Sequence, residues 1–389
     1  MKNFVCVDLG SSGTRYATSA AVANEEDIRE ISNEHLYVNR EDIIDVEGVS
    51  RDVRDNLDVI IEKLGTDGYR RRLLLGTMAH KYATVVRTPI LDTWKINQDI
   101  SYDSLVLACA LAKIEDDMGD VPISLFMSLP PAEVQGAKGN IGNRDGATAR
   151  IVGDYRVTFL KMGNKVVDLS ITDVNYSDEP FMALTAFFMT TDGVYRPNTD
   201  EYRDGIVMSL DIGNSTSDIA CTENGAYLER ASDTINTGCN IIRSVVKNKY
   251  REQFSSPVKS DNTLNQIVRE GRTRVGGQWK DLSSMVSAGK QKLAAEIVSE
   301  LLGGYYSNVG IAPTEVTAIV VSGGGSMASS YRDNDGNLKI TSKPVCDYVC
   351  TEVQKYSADV PVVSVGGNPR TAVVRGLVAK AYIMCKDKE

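Results

Sequence analysis

Histidine is nearly absent from this chain of 389 residues, which has only His35 and His80. Imidazole-based triads and multi-histidine metal sites have almost no material to draw on, and neither histidine is assigned a role. Catalysis must then use carboxylates, hydroxyls, backbone amides or a borrowed metal. Cysteine is sparse and scattered: Cys6, Cys109, Cys221, Cys239, Cys346, Cys350 and Cys385. Only Cys346 and Cys350 are close, and no second ligand pair accompanies them, so buried reduced thiols are expected rather than a zinc site or a disulfide framework.

Long apolar runs are missing too, with no stretch of about 18 apolar residues that could span a bilayer. The opening Met1-Lys2-Asn3-Phe4-Val5-Cys6-Val7-Asp8 meets an acid too early for a signal peptide and offers no basic amphipathic terminus. The expectation is a cytoplasmic protein with no membrane partner. A surplus of basic charge is also lacking: the net charge of -9 argues against direct nucleic-acid binding, which depends on clustered Lys and Arg. A DNA-bound adaptor protein stays open as a partner. No Gly-x-x-x-x-Gly-Lys-Ser/Thr string occurs and no Gly-x-Gly-x-x-Gly follows a strand, which excludes a P-loop and a dinucleotide fingerprint.

What is present suits a large folded core. Hydrophobic residues make up 42% and charged residues 24% of the chain, and its length exceeds the usual size of one domain, so two domains are expected. An internal repeat carries the first chemical signal. Val5-Cys6-Val7-Asp8-Leu9-Gly10-Ser11-Ser12-Gly13-Thr14 returns about two hundred residues later as Val207-Met208-Ser209-Leu210-Asp211-Ile212-Gly213-Asn214-Ser215-Thr216-Ser217-Asp218.

Each copy reads as a buried strand, a tight turn of glycine and small hydroxyl residues, and a second strand, Arg15 to Ser19 or Ser217 to Cys221. Such a turn suits phosphate, because glycine admits close backbone approach and successive amides and hydroxyls point donors at the oxygens. The aspartate at its start would repel phosphate, so its expected task is to hold magnesium through water. A third element, Thr317 to Met327, is a β-branched strand ending in Ser322-Gly323-Gly324-Gly325-Ser326-Met327, where three glycines allow contact with a flat ring and sugar.

These elements resemble those of the superfamily of actin, sugar kinases and heat-shock ATPases. Asp8 to Arg15 is similar to its first phosphate hairpin, with Arg15 where actins carry a lysine; Asp211 to Asp218 is similar to the second, and Ser322 to Met327 to the adenosine turn. Asn368 to Leu377 resembles the second connecting segment, a helix with Ala372 and Gly376 on one face for close packing. Ile123 to Glu133 resembles the first, and its Leu-Pro-x-x-Glu ending is similar to that of ParM-type plasmid-partition actins. Thr93 to Asp99 and the apolar stretch from Ser104 to Leu111 are similar to the same group.

The resemblance implies an α/β fold of two related ribonuclease-H-like (actin-like) domains with a nucleotide cleft between them. It implies a first domain over about 1–200, with a small insert at about 25–98, and a second over about 201–389, whose last helix from about 370 returns to the first. The implied ligands are Mg2+ and ATP or GTP. The implied phosphate contacts are Gly10, Ser11, Ser12, Gly13, Thr14 and Arg15 in the first hairpin and Gly213, Asn214, Ser215 and Thr216 in the second. Gly238, Gly323, Gly324, Gly325, Ser326 and Met327 complete the nucleotide set. Asp8 and Asp211 would serve the metal, and Glu133 and Asp211 catalysis, with Glu133 orienting the attacking water.

The implied function is a filament-forming nucleotide hydrolase, with itself and a DNA-bound adaptor as partners, in plasmid segregation. A monomeric chaperone-like or reactivase ATPase, and an actin relative of cell-shape or pilus-assembly type, stand as alternatives. A sugar or acetate kinase would need an acceptor pocket, for which the sequence has no signature. Apolar stripes at Ile241, Ile242, Val245 and Val246, and at Leu293, Ile297 and Leu301 before Gly303-Gly304, are expected to be helical core.

Overall fold

The computed structural model describes residues 3–10, 13–38, 54, 57–66, 68–83, 86–88, 94–131, 133–134, 141–305, 309–356 and 359–386. The chain divides into two compact units, one of Met1–Tyr195 with Val373–Glu389 and one of Arg196–Ala372.

The first unit is built on a nine-stranded sheet. Its strands are β1 (Phe4–Leu9), β2 (Gly13–Thr18), β3 (Arg29–Ser32), β4 (His35–Tyr37), β5 (Asp58–Lys63), β6 (Arg70–Leu75), β7 (Ile123–Leu129), β8 (Gly153–Phe159) and β9 (Lys165–Asp178), in the spatial order β3-β2-β1-β7-β9-β8-β5-β6-β4. β1 runs parallel to β7 and β7 to β9, while β2 and β3 pair antiparallel on the other side of β1. Every residue of β1 and β7 is buried, as expected of predominantly apolar strands covered on both faces. Helix α1 (Asp99–Glu115) is buried continuously from Ile100 to Ala112. A helix apolar all round belongs inside a core, and α1 packs in the cluster that includes Val7, Tyr16, Leu125 and Met127. α2 (Ile141–Ile151) follows, and α3 (Glu179–Phe188) starts with Pro180 in its first turn, where the missing amide costs nothing.

The second unit repeats the central part of this sheet. Its strands β10 (Ile206–Ile212), β11 (Ser217–Glu223), β12 (Ala226–Tyr227), β13 (Asp233–Ile235), β16 (Val316–Ser322) and β19 (Val362–Ser364) lie in the order β12-β11-β10-β16-β19, with β13 also pairing β11. The antiparallel β10–β11 pair matches β1–β2, and the parallel β10–β16 pair matches β1–β7. Two-stranded ribbons are formed by β14 (Arg272–Val275) with β15 (Gln278–Asp281) and by β17 (Ser329–Arg332) with β18 (Leu338–Ser342).

Helices α4 (Asn240–Phe254), α5 (Asp261–Glu270), α6 (Ser283–Ser299) and α7 (Val345–Val353) surround the second core. Ile242 and Val246 on α4 and Leu293 and Ile297 on α6 are buried in it. The helical winding does not end at Gly303: Glu300–Tyr305 continues it as a π-helical turn. α5 is closed at both ends by local chemistry. The Ser260 hydroxyl accepts the Thr263 amide at 3.2 Å, and Gly271 takes the left-handed conformation (φ 66°) beyond the last turn.

The chain then enters α8 (Ala372–Lys386), which from Val373 onward belongs to the first unit. Gly376 lies so close to α3 that a Cβ there would overlap the carbonyl oxygen of Met182. Among the described residues no helix is long and apolar enough to cross a membrane.

Candidate functional site

In each unit the acid of the repeated motif lies in a polar row that crosses the sheet. In the first unit, register aligns Glu30 on β3, Arg15 on β2, Asp8 on β1, Ser128 on β7 and Ser177 on β9. In the second it aligns Thr234 on β13, Asp218 on β11, Asp211 on β10 and Ser322 on β16. Residues paired in register on neighbouring strands point to the same face, so the rows correspond position by position: Arg15 to Asp218, Asp8 to Asp211, Ser128 to Ser322.

The two rows are wired differently. In the first, the Arg15 guanidinium donates to Asp8 Oδ2 at 2.8 Å and lies 3.7 Å from Glu30. Both Arg15 and Asp8 are buried, so this pair neutralises itself inside the sheet. Arg15 Nε and Ser128 Oγ are buried without a partner among the described residues. In the second row, Ser322 Oγ donates to Asp211 Oδ1 at 2.8 Å and Thr234 Oγ1 to Asp218 Oδ1 at 2.6 Å. Oxygens of Asp211 and Asp218 lie within 4.8 Å of each other. Two carboxylates facing across a ladder repel one another, and this donor set suits a hard divalent cation.

The turn of the first hairpin differs from its sequence reading. Gly13 and Thr14 belong to β2, with Thr14 paired to Leu9 and Ile31. The Thr14 hydroxyl donates to Asn33 Oδ1 at 2.8 Å rather than toward the turn. Asn33 also donates through Nδ2 to the Gly10 carbonyl, so it braces the turn from behind. A Cβ on Gly10 would sit 2.6 Å from the Gly13 carbonyl oxygen, which fixes glycine there. Ser11 and Ser12 lie outside the described residues, as do Thr93 and Ala132.

The second hairpin, the Gly238 segment and the Gly-rich turn converge in the second unit. The Cys239 and Asn240 amides, at the start of α4, donate to the carbonyls of Gly213 and Asn214 at 3.1 and 2.9 Å. A Cβ on Gly238 would come within 2.6 to 2.8 Å of Asn214 and Ser215 backbone atoms. Gly323 (φ 89°) has only 2.5 Å for a Cβ before the Ile212 carbonyl oxygen and 2.7 Å before Asp211 Oδ1, and a Cβ on Gly325 would overlap Cys239 Sγ. Gly323 donates its amide to Pro369 at 3.1 Å, and Gly324 faces the Arg370 side chain.

Individual side chains there have distinct tasks. The Gly213 amide closes the turn on the Thr216 carbonyl at 2.9 Å. Ser215 Oγ is buried without a partner among the described residues. Ser326 spends its hydroxyl on the Gly323 carbonyl at 2.7 Å. The Met327 carbonyl accepts from Lys290 at 3.0 Å, and Lys290 also holds the Lys343 carbonyl at 2.8 Å. Burial pushes Lys290 down to about 8 and the Cys239 thiol up to about 12, so Cys239 packs as a neutral group.

Glu133, just beyond the Pro130-Pro131 end of β7, is buried. Its two oxygens accept the amides of Lys95 (2.8 Å) and Ile96 (3.2 Å). Burial pushes its carboxyl above the ordinary value, against the lowering pull of those amides and the Lys95 charge. Lys95 Nζ in turn pairs with Glu179 at 2.6 Å. Each Glu133 oxygen keeps a second lone pair, so holding the 95–97 turn leaves it able to accept from water.

Sequence reasoning named the ends of these hairpins but missed four of the residues that line them: Asn33, Ser128, Thr234 and, as a metal candidate, Asp218. Asp218 was within reach, since a four-residue turn between strands places the residue seven after Asp211 opposite it. The others depend on which strands become neighbours.

Known proteins agree with this architecture. The model of the C-terminal domain of the archaeal actin homologue MreB-like matches residues 209–330, which span the second hairpin through the Gly-rich turn. No curated protein matches the chain. Among solved structures, the actin-like protein Alp7A superposes with a TM-score of 0.74 at 16% identity, covering 100% of this chain and 98% of that one. Bacillus thuringiensis ParM with ATP gives 0.65 at 16%, covering 99% of each. ParM in a 15-stranded filament from Clostridium botulinum gives 0.65 at 15%, covering 98% and 99%.

Proposed function

We propose that this chain, which has the actin-like fold shared by ParM and Alp7A, binds a magnesium nucleoside triphosphate and couples its hydrolysis to the growth and loss of a homopolymeric filament. The observation that carries this reading is the convergence of Gly213, Gly238, Gly323 and Gly325 around Asp211 and Asp218. Four positions there have no room for a Cβ, beside two facing carboxylates and an unpartnered buried hydroxyl on Ser215. Backbone amides and hydroxyls of this kind bind phosphate, and a surface of bare backbone suits a flat base and sugar.

The residues fit the implied metal. Asp211 and Asp218 would hold it through their carboxylates, Asp218 because it lies opposite Asp211 on the ladder, whereas the Asp8 carboxylate pairs with Arg15. When bound, the ion supplies positive charge against the phosphate oxygens. Arg15, Gly10 and Ser215 bind phosphate, and the 323–327 turn the nucleoside. Glu133 orients the attacking water, its carboxylate held by the Lys95 and Ile96 amides.

Filament formation is supported by the likeness to ParM, one example of which forms a 15-stranded filament, and ATP by the likeness to ParM with ATP. Segregation of plasmid DNA through a DNA-bound adaptor in the cytoplasm is the finer reading we favour. The test is to add ATP or GTP with Mg2+ to the purified protein and follow right-angle light scattering and phosphate release together. Scattering that rises with triphosphate and falls as phosphate accumulates is the expected result. Phosphate release with no scattering and no filaments by electron microscopy at any concentration would move the protein to the monomeric chaperone-like class.

A further inference from the structure

The first polar row contains a hydroxyl with nothing to do. Ser128 Oγ is fully buried, in register with Asp8, and has no hydrogen-bond partner among the described residues. A buried unpaired hydroxyl is costly, and apolar residues dominate this strand, so alanine would pack there without penalty. The corresponding residue of the second row shows what such a serine does: Ser322 Oγ donates to Asp211 at 2.8 Å. In the first row Arg15 donates to Asp8 Oδ2 in the place of that bond, and Ser128 donates to neither Asp8 oxygen.

Arg15 is itself incompletely held. Its Nε is buried without a partner among the described residues, and its second carboxylate, Glu30, is 3.7 Å away. We propose that Asp8 exchanges partners when nucleotide binds: Arg15 turns from Asp8 to a phosphate oxygen, and Ser128 then donates its hydroxyl to Asp8, as Ser322 already does to Asp211. This rests on the reading of the hairpins as a nucleotide site. Ser128 is thus a positioning residue that lets Arg15 leave without stranding a buried carboxylate, and it contributes only in the nucleotide-bound state.

That state dependence gives the test. Ser128→Ala should leave the melting temperature of the nucleotide-free protein unchanged or slightly raised, since the hydroxyl makes no bond there. It should weaken binding of ATP or GTP with Mg2+ by about tenfold, the scale of one hydrogen bond to a buried charge, and shrink the nucleotide-induced rise in melting temperature accordingly. In an Asp8→Asn background, where no buried charge is stranded, the same change should alter affinity by less than about twofold.

Wild-type protein that binds neither nucleotide would sink the underlying reading of the site. Wild-type protein that binds while Ser128→Ala binds equally well would overturn the exchange alone. A marked drop in nucleotide-free melting temperature for Ser128→Ala would overturn it too, by giving the hydroxyl a constant structural role.

Discussion

Glu133 shows how much a single side chain depends on its neighbours. Its carboxyl is raised by burial, so the form that accepts a proton from water is lost on acidification at a higher pH than for an exposed glutamate. The acid limb of the hydrolysis profile is therefore expected above the ordinary carboxylate range, with activity present above that pH and lost below it. Glu133→Gln should slow phosphate release by about 10² or more and abolish that limb, while nucleotide titration stays near wild type. It keeps one acceptor for the Lys95 and Ile96 amides, whereas Glu133→Ala keeps none. Turnover of Glu133→Gln equal to wild type would remove the residue from the reaction.

Among the elements, the contact between α8 and α3 is set by the absence of a side chain. Gly376 sits mid-helix, where glycine costs about 1 kcal/mol against alanine, yet a Cβ would overlap the Met182 carbonyl oxygen. Gly376→Ala should therefore destabilise the protein by about 1–3 kcal/mol despite its better helix propensity, read as a lower denaturant midpoint with unchanged slope. A gain in stability would mean that the two helices move apart freely. The strand pairs also differ in legibility. β1 and β7 are predominantly apolar runs, visible as buried strands in sequence, but Gly13 and Thr14 read as turn residues because small residues suit both. Pairing of Thr14 with Leu9 on β1 and of both residues with β3 draws them into the ladder.

For the whole molecule, the two rows divide the work. The first carries Glu30, Arg15 and Asp8, and the second carries Asp218 and Asp211, so the proposed cation has its facing carboxylates in the second. Asp211→Asn and Asp218→Asn should each weaken magnesium-dependent nucleotide binding and suppress the scattering rise that triphosphate triggers at a given protein concentration. If Asp218→Asn assembles at the wild-type magnesium concentration, the metal assignment moves back to Asp211 without it. The coupling follows from linkage, since a ligand that binds one state more tightly than another shifts the equilibrium between them.

The sequence by itself determined the α/β class and the repeat. Strands, turns and the acid that opens each hairpin are local patterns of hydrophobicity and glycine, set within ten residues of chain. It also placed Gly238 and the Gly323–Gly325 turn, because closely approaching backbones require glycine whatever the partner is. Tertiary structure alone decided what each polar group is for. Arg15 meets Asp8 and Asp218 meets Asp211 because β-ladder register puts them opposite, and Ser128 meets Asp8, and Ser322 Asp211, across more than one hundred residues of chain because β7 and β16 insert beside the first strand of each repeat. Charge balance in a buried row is a property of neighbouring strands, which no single stretch of sequence contains.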